Sequence, residues 1–290
     1  MIELLFGVNG GGSGCRVVLA TSKGQIISKS EGGSANIETS FSEARQNIIS
    51  ACKAALKAAS LPESNIYEAK AVLGLAGSNM GDFDKNLSKV LPFKENTIVN
   101  DGAITLEGAI GNRDGGIAAL GTGSVYLGRK NGVLIPVGGW GFLLGDDGSG
   151  ARLGLELFRT TIKCHEKIEK HSDLTLEIVK KYRNQIVNLV KATSDFKPKD
   201  FARFAPTVFD FYQRGDANAV RIIDRQKTII EKSIMACGFD SSLPFCILGG
   251  LGPLYQPILN PRISNFFVDP LGDALDGALS LALQKYGVSK

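Results

Sequence analysis

Two short turns and one aspartate carry the chemistry this chain can do. Gly10-Gly11-Gly12-Ser13 and Gly121-Thr122-Gly123-Ser124 each join two apolar runs. A tight glycine turn aims consecutive N–H groups into one concavity, which suits an anionic phosphate. Either turn alone is also what an ordinary hairpin uses, whereas two at equivalent points of a repeat favour the phosphate reading. Asp101 follows the apolar run N-T-I-V-N and stands before Gly102. A carboxylate at the carboxyl end of a strand is where α/β proteins collect catalytic groups, and when ionised it can take a proton from a hydroxyl. The same position suits an Asx turn or the cap of a helix starting near Ala103.

The densest glycine run, residues 138–154, reads G-G-W-G-F-L-L-G-D-D-G-S-G-A-R-L-G. Asp146, Asp147 and Ser149 stand just before a helix, so one of them is expected to cap it. Trp140 is the only tryptophan, and its glycine neighbours let a ligand approach the backbone; a packing residue in the core is the other reading. His165 and His171 lie in a polar helical stretch without companion ligands and read as surface residues.

Strands must hold these groups in place. E-L-L-F-G-V (3–8) is a short apolar strand, and C-R-V-V-L-A (15–20) beyond the glycines alternates with β-branched residues, so the first glycine loop joins two strands. Ser22-Lys23-Gly24 turns the chain into a third, Q-I-I-S-K-S. A Walker loop or a Rossmann fingerprint must run into a helix instead, and neither G-x-x-x-x-G-K-[ST] nor G-x-G-x-x-G occurs. Residues 40–59 read as a helix, 71–76 as a buried strand, 79–90 as a helix, 96–99 as a strand and 103–110 as a short helix. At 115 the pattern restarts: strand, glycine turn, strand, an Asn131-Gly132 turn, strand. The unit at 3–30 thus recurs at 115–137, about 111 residues on. Helices are predicted at 148–165, 173–193, 199–213 and 217–236, a buried strand at 244–250 and a last helix near 272–286. Two α/β lobes facing each other across a cleft are expected, a setting that favours nucleotides and small ligands.

Composition agrees with a globular, ligand-binding chain. Glycine is 35 of 290 residues, about 12% against an ordinary 7% or so. The 33 basic and 29 acidic residues leave a formal charge of +4, too small and too evenly spread for a nucleic-acid or anionic-membrane partner. The first residues carry an acid where a secretion signal needs base, and no apolar window approaches membrane-spanning length. The five cysteines show neither C-x-x-C nor a zinc spacing, so neither a disulfide framework nor structural zinc is expected. A cytoplasmic location follows as an expectation.

G-V-N-G-G-G-S-G, N-D-G, G-T-G-S, G-G-W-G-F-L-L-G-D-D-G-S-G and I-L-G-G-L-G together resemble the actin/hexokinase/Hsp70 superfamily. Within it the chain resembles the N-acetylglucosamine kinase branch, that of the BadF/BadG/BcrA/BcrD ATPases. G-S-A-N-I (33–37) and K-P-K-D-F-A-R-F-A-P-T-V-F (197–209) are most similar to short bacterial glucosamine and N-acetylglucosamine kinases. The resemblance implies an α/β, two-lobed actin-like ATPase (ribonuclease H-like) fold, with duplicated domains around a nucleotide cleft. The lobes would be residues 1–110, with the helix at 272–290 packing back on them, and 111–271. It implies ATP and Mg²⁺ as cofactors, an amino sugar phosphorylated at its 6-hydroxyl, and a homodimer. Carried over by position, Gly10, Gly11, Gly12, Ser13, Gly121, Thr122, Gly123, Gly249, Gly250 and Gly252 would bind ATP. Asn36, Asp101, Ser124, Gly139, Trp140, Gly141 and Asp146 would bind the sugar, with Asp101 as catalytic base and a ligand of the metal. One departure stands out. Asn9 occupies the place of the acid that usually holds Mg²⁺ through water, and an amide brings no charge. The alternatives in the same superfamily are a non-catalytic ATP or sugar sensor and an ATPase activator carrying an iron–sulfur cluster.

Overall fold

Aliphatic runs broken by small turns become meanders. In the computed structural model, which describes residues 3–12, 14–37, 40–77 and 83–288, the first meander is β1 (Leu4–Gly10), β2 (Cys15–Thr21) and β3 (Ile26–Gly32). Helix α1 (Phe41–Ala58), β4 (Lys70–Leu75), α2 (Phe83–Val90), β5 (Glu95–Asn100) and α3 (Asp101–Ile110) follow. The second meander is β6 (Gly115–Leu120), β7 (Ser124–Lys130) and β8 (Val133–Gly138). Next come α4 (Gly141–Leu144), α5 (Gly150–His165), α6 (Asp173–Lys181), α7 (Ile186–Thr193), α8 (Pro198–Ala202), α9 (Ala205–Gln213) and α10 (Ala217–Ala236). Strand β9 (Phe245–Leu248) and helices α11 (Gly252–Tyr255), α12 (Pro261–Ser264) and α13 (Ala274–Tyr286) complete the order.

The chain divides into two compact units, Met1–Arg113 with Asp269–Lys290, and Asp114–Val268. The sheet of the first runs β3-β2-β1-β4-β5, antiparallel through the meander and parallel from β1 to β4 to β5. The sheet of the second runs β8-β7-β6-β9, again an antiparallel meander with a parallel strand beside its first member. The repeat seen in the sequence is therefore a repeat of topology. Parallel neighbours need a long crossover; α1 lies in the one from the first meander to β4, and helices α4–α10 fill the one from the second meander to β9.

Helix α1 shows how the local code works. Ser40 caps it by accepting from the Glu43 N–H, and Ala44, Ile48, Ala51, Cys52, Ala55 and Leu56 form its buried stripe. Burying Ile48 or Leu56 contributes roughly 1.5–3 kcal/mol each. From β3, the Ser28 and Ser30 hydroxyls donate to the Ala55 and Ala51 carbonyls at 2.7 and 2.6 Å, pinning the helix to the sheet edge. In the second unit the core is aromatic: Phe158 meets Phe196, Phe201 and Phe204, the last at 4.7 Å between ring centroids.

Two helices expected to be continuous are broken. Residues 173–193 form α6 and α7, separated where Arg183 (φ 59°) and Asn184 (φ 55°) enter the left-handed region. Residues 199–213 form α8 and α9, because Pro206 offers no N–H and its ring would clash with the Ala202 carbonyl.

Helix α13 lies against β1 and α3 by means that sequence pattern does not announce. A Cβ on Gly108 would stand 1.9 Å from the Asp273 carbonyl oxygen, and one on Gly277 would stand 1.9 Å from the Ile104 oxygen. The helix backbones touch there. Beside that crossing the buried Glu107 carboxylate accepts from Ser280 Oγ at 2.8 Å and from Gln284. Helix propensity alone would make Gly277→Ala stabilising by about 1 kcal/mol. The backbone contact reverses the sign: the variant is expected to lose about 1–3 kcal/mol, read as a lower urea midpoint. A raised midpoint would show that the crossing tolerates a side chain.

Candidate functional site

In the first unit, register fixes which chain segments meet at the carboxyl edge of the sheet. Gly10 faces Leu75 across β1 and β4, and Leu75 faces Asn100 across β4 and β5. At roughly 4.8 Å per strand, Gly10 and Asn100 lie about 10 Å apart. The loop after β1 is closed by its own bonds: Gly11 N–H donates to the Gly14 carbonyl, and Ala35 N–H to the Gly11 carbonyl, both at 2.9 Å. The second bond ties the half-buried Asn36 segment to the glycine loop. Gly10 itself is buried, and a Cβ there would strike Leu75 at 2.6 Å, whereas a Cβ on Gly11 or Gly12 would meet nothing within 4 Å. Packing therefore demands glycine at 10, and open space borders 11 and 12. Asn9 is half-buried in β1, paired in register with Arg16 and Gly74. Ser13 lies outside the described residues.

Asp101 is the first residue of α3, but the cap is Asn100, whose side-chain oxygen accepts from Gly102 N–H at 2.8 Å. Asp101 Oδ1 shares that N–H at 2.9 Å. The capping alternative thus passes mainly to Asn100, a residue that the sequence reading did not single out. Burial pushes the Asp101 carboxyl above the usual carboxylate range, and the N–H groups of Gly102 and of Asp101 itself only partly offset this.

In the second unit the corresponding edge is built from the turn after β6, the segment 138–150 and the glycines after β9. Gly121 N–H donates to the Gly123 carbonyl at 2.9 Å, and the carbonyls of Gly121 and Thr122 accept from Gly150 and Ala151 at the start of α5. A Cβ on Gly121 would meet nothing within 4 Å, while one on Gly123 would lie 3.0 Å from an Asp146 carboxylate oxygen. Thr122 is exposed. Gly249, at φ 83°, approaches so closely that a Cβ would be 2.3 Å from the Leu120 oxygen, and Leu251 N–H donates to that same oxygen at 3.0 Å. Gly250 borders open space, and Gly252 packs on Ile247.

Ser124 is buried; its N–H reaches Asp146 Oδ1 at 3.4 Å and its hydroxyl donates to the Asp147 carbonyl at 2.7 Å. Gly139 N–H donates to the Ser124 carbonyl, so the Gly139–Gly141 segment is held beside the turn. Ser149 is the cap of α5, accepting from Arg152 N–H at 3.1 Å. Asp146 stands at φ 58°, a conformation Asp tolerates better than most residues and one that recurs at functional sites. Burial raises its carboxyl, and the Asp147 charge adds to this; Ser124 N–H and the Arg152 guanidinium oppose it. Trp140 is 76% exposed, which overturns the core-packing reading. His165 and His171 are exposed, as expected. Two residues missed by the sequence reading also hold this edge. The buried Gln226 side-chain oxygen accepts from Gly148 N–H at 2.7 Å, and Arg152 binds carbonyls of the loop before it. Neither has a motif; only the fold brings them there.

Among the described residues, no three His, Cys, Asp or Glu side chains gather to hold a metal, and no helix is long and apolar enough to cross a membrane. The donors at the first edge, the Asn9 amide and the Asp101 carboxylate, fit an ion that takes most of its ligands from phosphate and water.

Residues 6–250 match the BadF/BadG/BcrA/BcrD ATPase family. The chain is 27% identical over 277 residues to the glucosamine kinase of Vibrio cholerae, spanning 95% of this chain and 94% of that one. It resembles the crystal structure of a provisionally named N-acetylglucosamine kinase from Chromobacterium violaceum, with a TM-score of 0.86 at 31% identity over 98% of this chain and 99% of the other. A ROK family glucokinase of Streptomyces griseus, solved with glucose and AMPPNP, shares the fold at a TM-score of 0.53 and 17% identity, covering 97% of this chain and 100% of its own. The expected duplicated actin-like architecture is thus borne out, and the family resemblance with it: the chain belongs to the BadF/BadG/BcrA/BcrD ATPase family.

Proposed function

We propose that the protein is a kinase that moves the γ-phosphoryl group of ATP to the 6-hydroxyl of an amino sugar, N-acetylglucosamine or glucosamine. The observation that carries this reading is the placement of Asp101. It is half-buried, relieved of most capping duty by Asn100, and two strands from a glycine loop that borders open space. The names of the relatives at Vibrio cholerae and Chromobacterium violaceum support the substrate class.

In this reading the main chain of Gly11, Gly12 and Ser13, and that of Gly121, Thr122 and Gly123, lines the phosphates, the N–H groups of Gly11 and Gly121 being already engaged with the Gly14 and Gly123 carbonyls. Gly249, Gly250 and Gly252 accommodate the adenosine, with Gly10 supplying the packing that brings its loop into place. Asn36, Ser124, Gly139, Trp140, Gly141 and Asp146 orient the sugar, since hydroxyls need paired donors and acceptors. Asp101 accepts the proton of the 6-hydroxyl as its oxygen bonds to the γ-phosphorus, and the bond from that phosphorus to the bridging oxygen breaks to release ADP. Mg²⁺ arriving with ATP would neutralise phosphate charge, with Asn9, through water, and Asp101 as the donors this chain offers. A cytoplasmic homodimer completes the proposal. The iron–sulfur activator is disfavoured, because all five cysteines are buried. The non-catalytic sensor rests on Asn9 alone.

Asp101→Asn is expected to lower kcat by two to three decades while leaving sugar affinity nearly unchanged, because a general base supplies roughly 10²–10⁴-fold. The Asn100 cap survives in this variant, so near wild-type kcat would assign Asp101 to structure. The base works ionised and burial raises its pKa. Activity is therefore full at high pH and falls, as pH drops, through a value above the ordinary aspartate range near 3.9. A kcat/KM profile with its acid limb at or below that range would contradict the assignment.

Asn9→Asp is expected to lower the Mg²⁺ concentration for half-maximal activity tenfold or more, with sugar KM unchanged. A unit charge pair at about 4 Å is worth roughly 4 kcal/mol at an effective dielectric near 20, and water-mediated distance reduces that to about 1–3 kcal/mol. Absence of phosphorylation by both proteins at every Mg²⁺ concentration would favour the sensor.

A further inference from the structure

The loop from Trp140 to Asp147 presents an unusual surface. Trp140, Leu143 and Leu144 are 76%, 86% and 85% exposed, so its large side chains do little to hold it. Phe142 alone turns inward, stacking on Phe201 at 5.4 Å between centroids. What fixes the backbone is Arg152. Side chains in a helix lean toward its N-terminus, so an arginine in the first turn of α5 reaches back over the segment before it. One Arg152 guanidinium nitrogen donates to the Phe142 carbonyl at 3.0 Å and to the Gly145 carbonyl, two acceptors that the single turn of α4 leaves without helical partners. The guanidinium also lies over the Phe142 ring at 5.7 Å, and its Nε is 3.6 Å from the Asp147 carboxylate. The side chain is only 14% exposed, and Nε is buried without a hydrogen-bond partner among the described residues. A long cation held this deeply on main-chain oxygens has been placed for the loop's shape, since a surface ion pair would be worth little.

We propose that Arg152 is a positioning residue that sets the Trp140–Asp146 loop in the shape that binds the amino sugar, controlling sugar affinity without touching sugar or nucleotide. This rests on the reading of Trp140 and Asp146 as sugar contacts. Loss of the guanidinium frees the Phe142 and Gly145 carbonyls together, and a lysine, with one compact ammonium in place of the planar fork, restores the bonds only in part.

The single tryptophan makes the loop observable by itself. Trp140 time-resolved anisotropy, calorimetric binding of N-acetylglucosamine, glucosamine and ATP, and thermal midpoints are to be compared for the full-length protein, Arg152→Gln and Arg152→Lys. The expected result is a larger fast-motion amplitude at Trp140 and at least tenfold weaker sugar binding in Arg152→Gln, with ATP binding within twofold. Arg152→Lys is expected to fall between it and the wild type. Unchanged anisotropy and sugar affinity in both variants would overturn the proposal. So would parallel losses of sugar and ATP binding with a large drop in thermal midpoint in both, which mark a general folding role. A loosened Trp140 with unchanged sugar affinity would leave Arg152 as the brace of the loop and overturn the sugar reading of that loop. Because binding is measured directly, absence of phosphoryl transfer would bear on the proposed reaction and not on Arg152.

Discussion

Parallel pairing brings the candidate segments of each unit to one edge of its sheet. A strand added in parallel beside β1 or β6 runs the same way as its neighbour, so the two finish at one edge and their following loops lie side by side. In the first unit this aligns Gly10, Leu75 and Asn100, and so brings the glycine loop and Asp101 to a common edge. In the second it sets Ala119 opposite Leu248, so that Gly249 meets Leu120 and the last glycine motif abuts the Gly121 turn. The antiparallel strands β2, β3, β7 and β8 cannot do this, because successive ends alternate between edges. Their contribution is the tight turn after β1 and β6, which returns the chain at once and leaves glycine main chain bordering open space at Gly11, Gly12 and Gly121.

The glycine excess is not one signal but several. Gly11, Gly12, Gly121 and Gly250 are among the glycines that border open space, where a ligand can approach main chain. Gly249 needs both its positive φ and the missing Cβ to pass Leu120. Gly108 and Gly277 let α3 and α13 touch backbone to backbone. That contact supports the helix whose first residue is Asp101, so a packing feature far along the chain stands behind the proposed base.

The fold was largely legible because its signals are local. Alternation marks strands, glycine and Asn131-Gly132 mark turns, and the recurrence of strand, turn, strand at residue 115 marks the repeat. Asp101 was legible for the same reason, as a carboxylate directly after an apolar run. What escaped depends on distant partners. The α13 crossing needs Gly108 and Gly277 to be read together although they stand 169 positions apart. Arg152 and Gln226 look like ordinary helix residues until the loop they hold is folded beneath them. Trp140 was ambiguous because a tryptophan between glycines has the same local context whether it packs or projects. The helix breaks at Arg183–Asn184 and before Pro206 were missed where apolar periodicity continued through a backbone that could not.

Asp101 in the first unit and Asp146 in the second share a problem and solve it differently. Burial disfavours the charge on Asp101 and on Asp146 alike. Asp146 has the Arg152 guanidinium to oppose that, which suits a group that holds its charge while accepting from a hydroxyl. Asp101 has only backbone N–H groups, which suits one that gains and loses a proton. Asn9 bears on this contrast. Asn9 and Asp101 adjoin Gly10 and Asn100, whose backbones are about 10 Å apart, and at about that distance an acid at position 9 would repel an ionised Asp101 by roughly 1–2 kcal/mol at an effective dielectric near 20, less in salt. The repulsion would further raise a carboxyl already raised by burial. An amide removes it, so the residue proposed to weaken the hold on Mg²⁺ would also ease ionisation of the proposed base. In a site with so few compensating donors, the two effects oppose each other, and the substitution of amide for acid is compatible with catalysis on electrostatic grounds.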